Sequence, residues 1–305
     1  MRLSPSITAS VLAAFAFAAA PARAQLAVPR GVVGTGGTSS SGGGYTVTGT
    51  VGEPGAGGAS GGAFEARIGF WAGVGGAGAL ALTLDLRILL EGPYDAGTSL
   101  MRTNLVALAD FPAGQPYAAP AFDGTPLDYD GVEAATAPAT AVDWVLVRLR
   151  TGTGPGTVVG TRAALLLRDG RVVDVDGASP VGFPGVAPGA YYVVVGHRNH
   201  LAVMSAGAVT FPSGVGAYTF TTAEAQAYGT GAMRALTGGV FALFGGDGNG
   251  SGDVSAADRN AVWRPQNGLA GYRSGDFNLS GDVSAVDRNA FWRPNNGRAS
   301  QVPPN

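Results

Sequence analysis

Asp247-Gly248-Asn249-Gly250-Ser251-Gly252-Asp253-Val254-Ser255-Ala256-Ala257-Asp258 returns as Asp276-Phe277-Asn278-Leu279-Ser280-Gly281-Asp282-Val283-Ser284-Ala285-Val286-Asp287, 29 residues further on (276 − 247). Oxygen-bearing side chains at positions 1, 3, 5 and 12, with glycine at 6 for the sharp turn, are what a hard cation such as Ca²⁺ needs from a twelve-residue loop. Each copy offers a carboxylate at position 1 (Asp247, Asp276), an amide at 3 (Asn249, Asn278) and a hydroxyl at 5 (Ser251, Ser280). Position 7 (Asp253, Asp282) ordinarily donates its backbone carbonyl, and position 9 (Ser255, Ser284) acts through a water. Asp258 and Asp287 close the loops at position 12, one methylene shorter than the usual Glu. Serine at position 5 lowers the ligand charge. Two bound Ca²⁺ ions are expected, with affinities of about 10⁻⁶ to 10⁻³ M. The competing reading is a pair of metal-free Asp/Asn/Gly turns. In-register repetition, with Arg-Asn and then Trp-Arg-Pro after each copy, favours calcium.

A short helix is expected after each loop, Ala256 to Arg264 and Ala285 to Arg293, stopped by Pro265 and Pro294, which have no N–H to continue it. Val254 and Val283 at position 8 are expected to meet across a pseudo-twofold axis, with Trp263 and Trp292 packed nearby.

This duplicated loop-helix unit, without the helix that precedes an EF-hand loop, resembles a type I dockerin over residues 244–297. The resemblance implies a calcium-folded α module that plugs into a cohesin domain. It also implies recognition residues at loop positions 10 and 11, here Ala256, Ala257, Ala285 and Val286. Many dockerins carry hydroxyl residues there. The apolar pairs in this chain depart from that pattern and fit a module that docks within its own chain; a cohesin-like protein partner is what the resemblance alone implies.

The chain has 305 residues, a formal net charge of −2, 13% charged residues and no cysteine. No basic footprint for nucleic acid is present, and no disulfide is possible. Residues 1–24 read as a secretory signal: Arg2, an apolar run from Ile7 to Ala20, and Ala22-Arg-Ala24 before Gln25. The mature protein is therefore expected to be secreted, extracellular or at the cell surface, without a membrane span.

Residues 25–79 form a Gly/Ser-rich segment in which Tyr45–Val51 and Ala63–Trp71 suggest a β-hairpin. From Leu80 to Leu90 leucine and isoleucine alternate with other residues at period 2, the pattern of a half-buried strand. Further strands are expected at 143–150, 158–168, 171–175, 191–198, 201–211 and 217–222. Asp169-Gly170 marks a two-residue hairpin turn. A long loop covers 110–140, and a helix capped by Thr222 is expected over about 222–236. Many short strands between Gly/Pro turns give a mainly β chain, with a β-sandwich over residues 80–240. The run Gly189-Ala-Tyr-Tyr-Val-Val-Val resembles the late strands of prealbumin-like, Ig-like or Cna-B-type sandwiches. Residues 298–305 read as a disordered tail.

Other motifs carry less. His197 and His200 lie three apart in His-Arg-Asn-His, which on a strand puts them on opposite faces, although a turn at Arg198-Asn199 could bring them together; hydrogen bonding is favoured over a metal or catalytic role. Gly73-Val-Gly75-Gly-Ala-Gly78 matches G-x-G-x-x-G, but a strand follows where a helix is required. Asp128-Tyr-Asp130-Gly and Asp174-Val-Asp176-Gly could supply a glycosidase carboxylate pair, but read better as turns. Trp144, Tyr191 and Tyr192 could stack on a sugar; core packing is the commoner use. The sequence thus points to a secreted, non-catalytic, calcium-binding structural, adhesion or assembly protein acting through protein–protein contacts. The alternative is a glycan-binding component of an extracellular polysaccharide-degrading complex.

Overall fold

Leu82, Leu84 and Leu86 are fully buried while Asp85 and Arg87 face solvent, so the period-2 pattern is a true half-buried strand. The computed structural model describes residues 82–122 and 124–303 and the backbone of four earlier strands. Two compact units divide the chain, Met1–Ala77 and Gly78–Asn305. In the first, β1 (Thr38–Gly42), β2 (Tyr45–Gly49), β3 (Gly57–Gly61) and β4 (Phe64–Ile68) form an antiparallel meander. The runs expected to pair as one hairpin are β2 and β4, and β3 lies between them. The secretory-signal reading of residues 1–24 and the glycine motif at 73–78 lie outside the described residues.

The second unit is built from β5 (Leu82–Arg87), β6 (Tyr94–Asp95), β7 (Leu100–Met101), β8 (Ala141–Arg150), β9 (Val158–Leu167), β10 (Arg171–Val173) and β11 (Val181–Phe183). These are followed by β12 (Ala190–His197), β13 (His200–Met204), β14 (Val209–Thr210), β15 (Val215–Thr219), β16 (Arg234–Leu236) and β17 (Val240–Ala242). Nine of these strands join in one sheet of order β11-β5-β10-β9-β8-β12-β13, with β14 on β12 and β15 parallel to β5. Thr210 and Val215 are only five residue steps apart, a reach of at most about 18 Å. Across a flat sheet the six strand spacings from β14 to β15 would come to about 29 Å. The sheet therefore curls until its walls face each other. The mainly β, antiparallel expectation is met; the walls of the expected sandwich belong to one continuous ladder.

Every residue of β8 is buried, because both its faces are covered. Val145, Val147 and Leu149 point into the main core with Leu82, Leu84, Leu86, Val193 and Val195. Trp144 and Leu146 point the other way, onto Tyr117, Phe122 and Leu127 of the long loop. Each such aliphatic side chain contributes about 1.5–3 kcal/mol by leaving water. The loop expected over 110–140 is thus a packed lid on the outer face of the sheet.

Four local expectations change. The Asp169-Gly170 turn is a three-residue connection: Gly170 N–H donates to Leu167 C=O at 2.9 Å and Gly170 takes φ +88°, the geometry of a type I turn with a glycine bulge. The 201–211 strand splits into β13 and β14, because the Ser205 hydroxyl takes the ladder position, accepting from Val193 N–H at 3.0 Å. The helix over 222–236 is a single turn, Glu224–Gln226, and the chain returns as the β16–β17 hairpin. Gly229 and Gly231 take positive φ there, which a helix does not allow. Residues 298–303 are not a loose tail. Ala299 bridges to Asp253, Ser300 donates to Ala202 C=O at 2.7 Å, and Pro303 C=O accepts from Arg150. Among the described residues no helix is long and apolar enough to cross a membrane.

Candidate functional site

Both calcium-type loops have the same internal bonding. In the first, Asp247 accepts from the N–H groups of Ser251 (3.0 Å) and Gly252 (2.9 Å), while Asp258 accepts from those of Asn249 (3.3 Å) and Ser255 (2.7 Å). In the second, Asp276 accepts from Ser280 (3.0 Å) and Gly281 (2.8 Å), and Asp287 from Asn278 (3.0 Å) and Ser284 (2.8 Å). Asn249 and Asn278 each accept from the position-5 N–H, at 3.2 and 3.0 Å. Asp253 and Asp282 are exposed and take the position-5 hydroxyls of Ser251 (2.6 Å) and Ser280 (3.1 Å). Each loop therefore brings together its first and last carboxylates, its amide and its hydroxyl.

All four position-1 and position-12 carboxylates are buried. Burial, with the Asp258 charge adding to it, pushes the Asp247 carboxyl up to about 8. Burial, and to a smaller extent Asp287, pushes Asp276 up to about 6. Asp258 and Asp287 are likewise raised, chiefly by burial. Two acids buried side by side in an all-oxygen pocket are costly unless a proton or a cation offsets them. That donor chemistry suits Ca²⁺. Among the described residues no group of three or more His, Cys, Asp or Glu is placed to hold a metal. Each loop has two such carboxylates, and the rest of its donors are amide, hydroxyl and peptide oxygens.

After each loop the chain turns helical over 256–266 and 285–295, with wide π-type turns at Asp258–Trp263 and Asp287–Trp292. Pro265 and Pro294 do not stop these helices but lie within their last turns, Arg264–Gln266 and Arg293–Asn295. The halves are interlocked by a pseudo-twofold. Trp263 Nε1 donates to Ser284 C=O (2.8 Å) and Trp292 Nε1 to Ser255 C=O (2.7 Å). Val254 pairs by backbone with residues 297–298 beyond the second helix, and Val283 with residues 268–269 beyond the first. Val254 packs with Phe244, Phe277 and Trp292. Val283 is buried outside that cluster, so the tryptophans rather than the valines carry the symmetry.

This repeat is seated on the sheet. Leu279, at loop position 4, is part of the main core. A Cβ at Gly92 would collide with the Phe277 carbonyl, so only glycine permits that approach. Asn295 Nδ2 donates to Glu91 at 2.6 Å, and Tyr272 N–H to Asp110 at 2.9 Å. Beneath the seam lies Asp143, fully buried. It accepts from Arg198 Nε (2.8 Å), the Tyr272 hydroxyl (2.6 Å), Trp144 N–H (2.8 Å) and His197 (3.2 Å). Burial opposes its charge, but Arg198, His197 and Tyr272 outweigh it and hold the carboxyl well below the usual range. Asn199 Nδ2 donates to the carbonyls of Ser274 (3.2 Å) and Asp276 (2.7 Å). Because these contacts join residues 129 and 75 to 77 positions apart, no local pattern announces them.

His197 and His200 are used up in the same network. Gly92 N–H donates to His200 Nε2 (3.4 Å), so His200 Nδ1–H faces Asn199 Oδ1 (2.8 Å) and His197 Nδ1 (3.1 Å). His197 Nδ1 also accepts from Asn199 N–H (3.4 Å), leaving its Nε2–H for Asp143. The tautomers follow from the partners, and both rings are neutral. Burial lowers both pKa values, His200 well below the ordinary value.

Most of the remaining candidates have structural roles. Asp174 is bound by Arg162 (2.7 Å) and Gly182 N–H (2.9 Å), Asp176 caps its own turn at Ala178 and Ser179, and Asp128 accepts from Gly124 N–H. Trp144 and Tyr191 are core residues, which removes them as a sugar-stacking platform. Ala256, Ala257, Ala285 and Val286 are all exposed, at the starts of the two helices.

No family model matches the chain, and no curated protein matches it. Among solved structures, it is similar to a chain of a type II cohesin–X–dockerin complex from Acetivibrio cellulolyticus, an N-terminal interface mutant. That likeness has TM-score 0.31 and 16% identity, over 51% of this chain and 82% of the other. Superposition at that level carries no inference about this protein.

Proposed function

We propose that this is a secreted, non-catalytic protein whose duplicated C-terminal loops bind two Ca²⁺ ions and so fasten the repeat to the curled sheet, making a rigid module for extracellular or cell-surface assembly. The observation that carries the reading is the identical bonding of two carboxylate-lined loops, Asp247/Asp258 and Asp276/Asp287. A cation there offsets charges that the fold otherwise buries at a cost. Because the loops take this shape only in the folded chain, ion binding adds to folding stability.

The first partner of the repeat is its own sheet, through Leu279, Asn295 and Tyr272. Ala256, Ala257, Ala285 and Val286 stay exposed and free to meet a second protein. Calorimetric titration of the whole chain with calcium tests the reading. Two ions are expected, and Asp247→Ala with Asp276→Ala should abolish both. The intact chain is required, since an excised repeat would expose Phe277 and Leu279. A titration with no bound ion would refute the calcium role.

A further inference from the structure

We infer that the two loops are unequal, the second being the tighter calcium site because the sheet already holds it in ligand-bearing shape. The inference rests on the calcium reading above and concerns what the sheet does to it. In the second loop the carbonyls of positions 1, 3 and 5 are each pinned by a side chain from the sheet unit. Asn199 Nδ2 donates to Asp276 C=O (2.7 Å), Arg102 Nη2 to Asn278 C=O (3.3 Å) and Asn104 Nδ2 to Ser280 C=O (3.1 Å). Arg102 is itself braced on Gly92 C=O at 2.9 Å. These three positions carry the Asp, Asn and Ser side chains that would reach the ion. Between them, Phe277 and Leu279 are fully buried and fix the backbone from inside.

The first loop lacks this scaffold. Its entry is tethered, with Gly245 N–H on Glu91 (3.1 Å) and Gly246 N–H on Asn199 C=O (3.0 Å). Beyond that, among the described residues, no sheet side chain donates to the carbonyls of Asp247, Asn249 or Ser251. Glycines 248 and 250 stand where the second loop has Phe277 and Leu279. Exposure follows the same division: Asn249 is half-buried and Ser251 exposed, whereas Asn278 is buried and Ser280 half-buried. A glycine-rich, less buried loop loses more freedom when it closes on an ion. A loop shaped in advance has that cost met by folding. Arg102 and Asn104 are thus positioning residues: they touch the loop's backbone and not the ion.

The test is calorimetric titration of the metal-free whole chain with calcium, in the wild type and in single variants. Two affinity classes are expected. Asp276→Asn removes the tighter and Asp247→Asn the weaker. Asn104→Ala and Arg102→Ala each weaken the tighter class by about tenfold and spare the other, since one lost hydrogen bond contributes about that factor. Both residues are exposed, so the fold survives, which unchanged far-UV circular dichroism would verify. A purely structural role would shift both classes together. Arg102 is also cationic, and removing a nearby positive charge strengthens cation binding. A loss of affinity in Arg102→Ala can therefore come only from the lost anchor. Equal classes in the wild type, an Asp276→Asn variant that keeps the tighter class, or tighter binding in Arg102→Ala would each overturn the inequality and leave calcium binding standing. A wild-type titration without any bound ion would overturn both.

Discussion

Raising the pH from 7.5 to 9.0 in a chelator should cost the metal-free protein about 0.8 kcal/mol of stability, and saturating calcium should erase that slope. Asp247 sets the magnitude. Burial and the neighbouring Asp258 raise its carboxyl from 3.8 unfolded to about 8 folded. A raised acid contributes stability that is fully present below its unfolded value and lost as pH rises through its folded value. Each pKa unit corresponds to about 1.4 kcal/mol. Integrated over this window, the loss comes to about 0.8 kcal/mol. The lower limit of the window is deliberate. His197 and His200 are depressed by burial, so they cost stability only below about pH 7.5, where the unfolded imidazoles begin to charge. Asp276, at about 6, has lost most of its contribution by then. With an ion bound, Asp247 is ionised in both folded and unfolded protein, and stability becomes flat. Urea denaturation followed by circular dichroism at five pH values, with chelator or with calcium, reads both curves. Asp247→Asn, an uncharged isostere, should flatten the chelator curve alone. A flat chelator curve in the wild type would refute the burial argument. A slope that persists in calcium would refute capture of the ion at Asp247.

Three further outcomes follow from the packing. Leu279→Ala should destabilise the unit by about 2–5 kcal/mol in the same denaturation assay, because the side chain is fully buried in the sheet's core; a change below about 0.5 kcal/mol would mean that the repeat is not seated there. Asp143→Asn should cost about 3–5 kcal/mol, leaving the buried Arg198 without its counter-charge, and a neutral result would count against the network. Trp263→Phe and Trp292→Phe each remove one cross-repeat hydrogen bond of nearly equal length, so each should cost about 1 kcal/mol beyond the smaller ring's lost contacts. Strongly unequal effects would break the pseudo-twofold.

Where periodicity governed, the sequence was legible. Alternation at 82–87 became β5 with its leucines inward, and the strands at 143–150, 158–168 and 191–198 fell within a residue or two of their positions. The duplicated loops showed the internal bonding common to both copies. What stayed hidden depended on contacts distant in sequence. Asp143, Arg198 and Tyr272 look unremarkable one by one and acquire meaning only where the curled sheet meets the repeat. The helix expected at 222–236 rested on a cap at Thr222, and it ends after one turn because Gly229 and Gly231 take positive φ. One available signal went unused. Phe277 and Leu279 put large apolar groups at loop positions where the first copy has glycine. A solvated metal loop has no use for them, so the difference between copies marked which loop faces a core.

Leu279 also sets a schedule. The main core includes this residue, nearly two hundred positions after the first strand that lines the same cavity. A chain emerging from the ribosome with its amino end foremost can assemble β5 to β15 long before residue 279 appears. Until then the interior has an unfilled hole and an exposed greasy rim, open to chaperones or to wrong neighbours. Completion of the whole unit, rather than of an appended module, waits on the second loop.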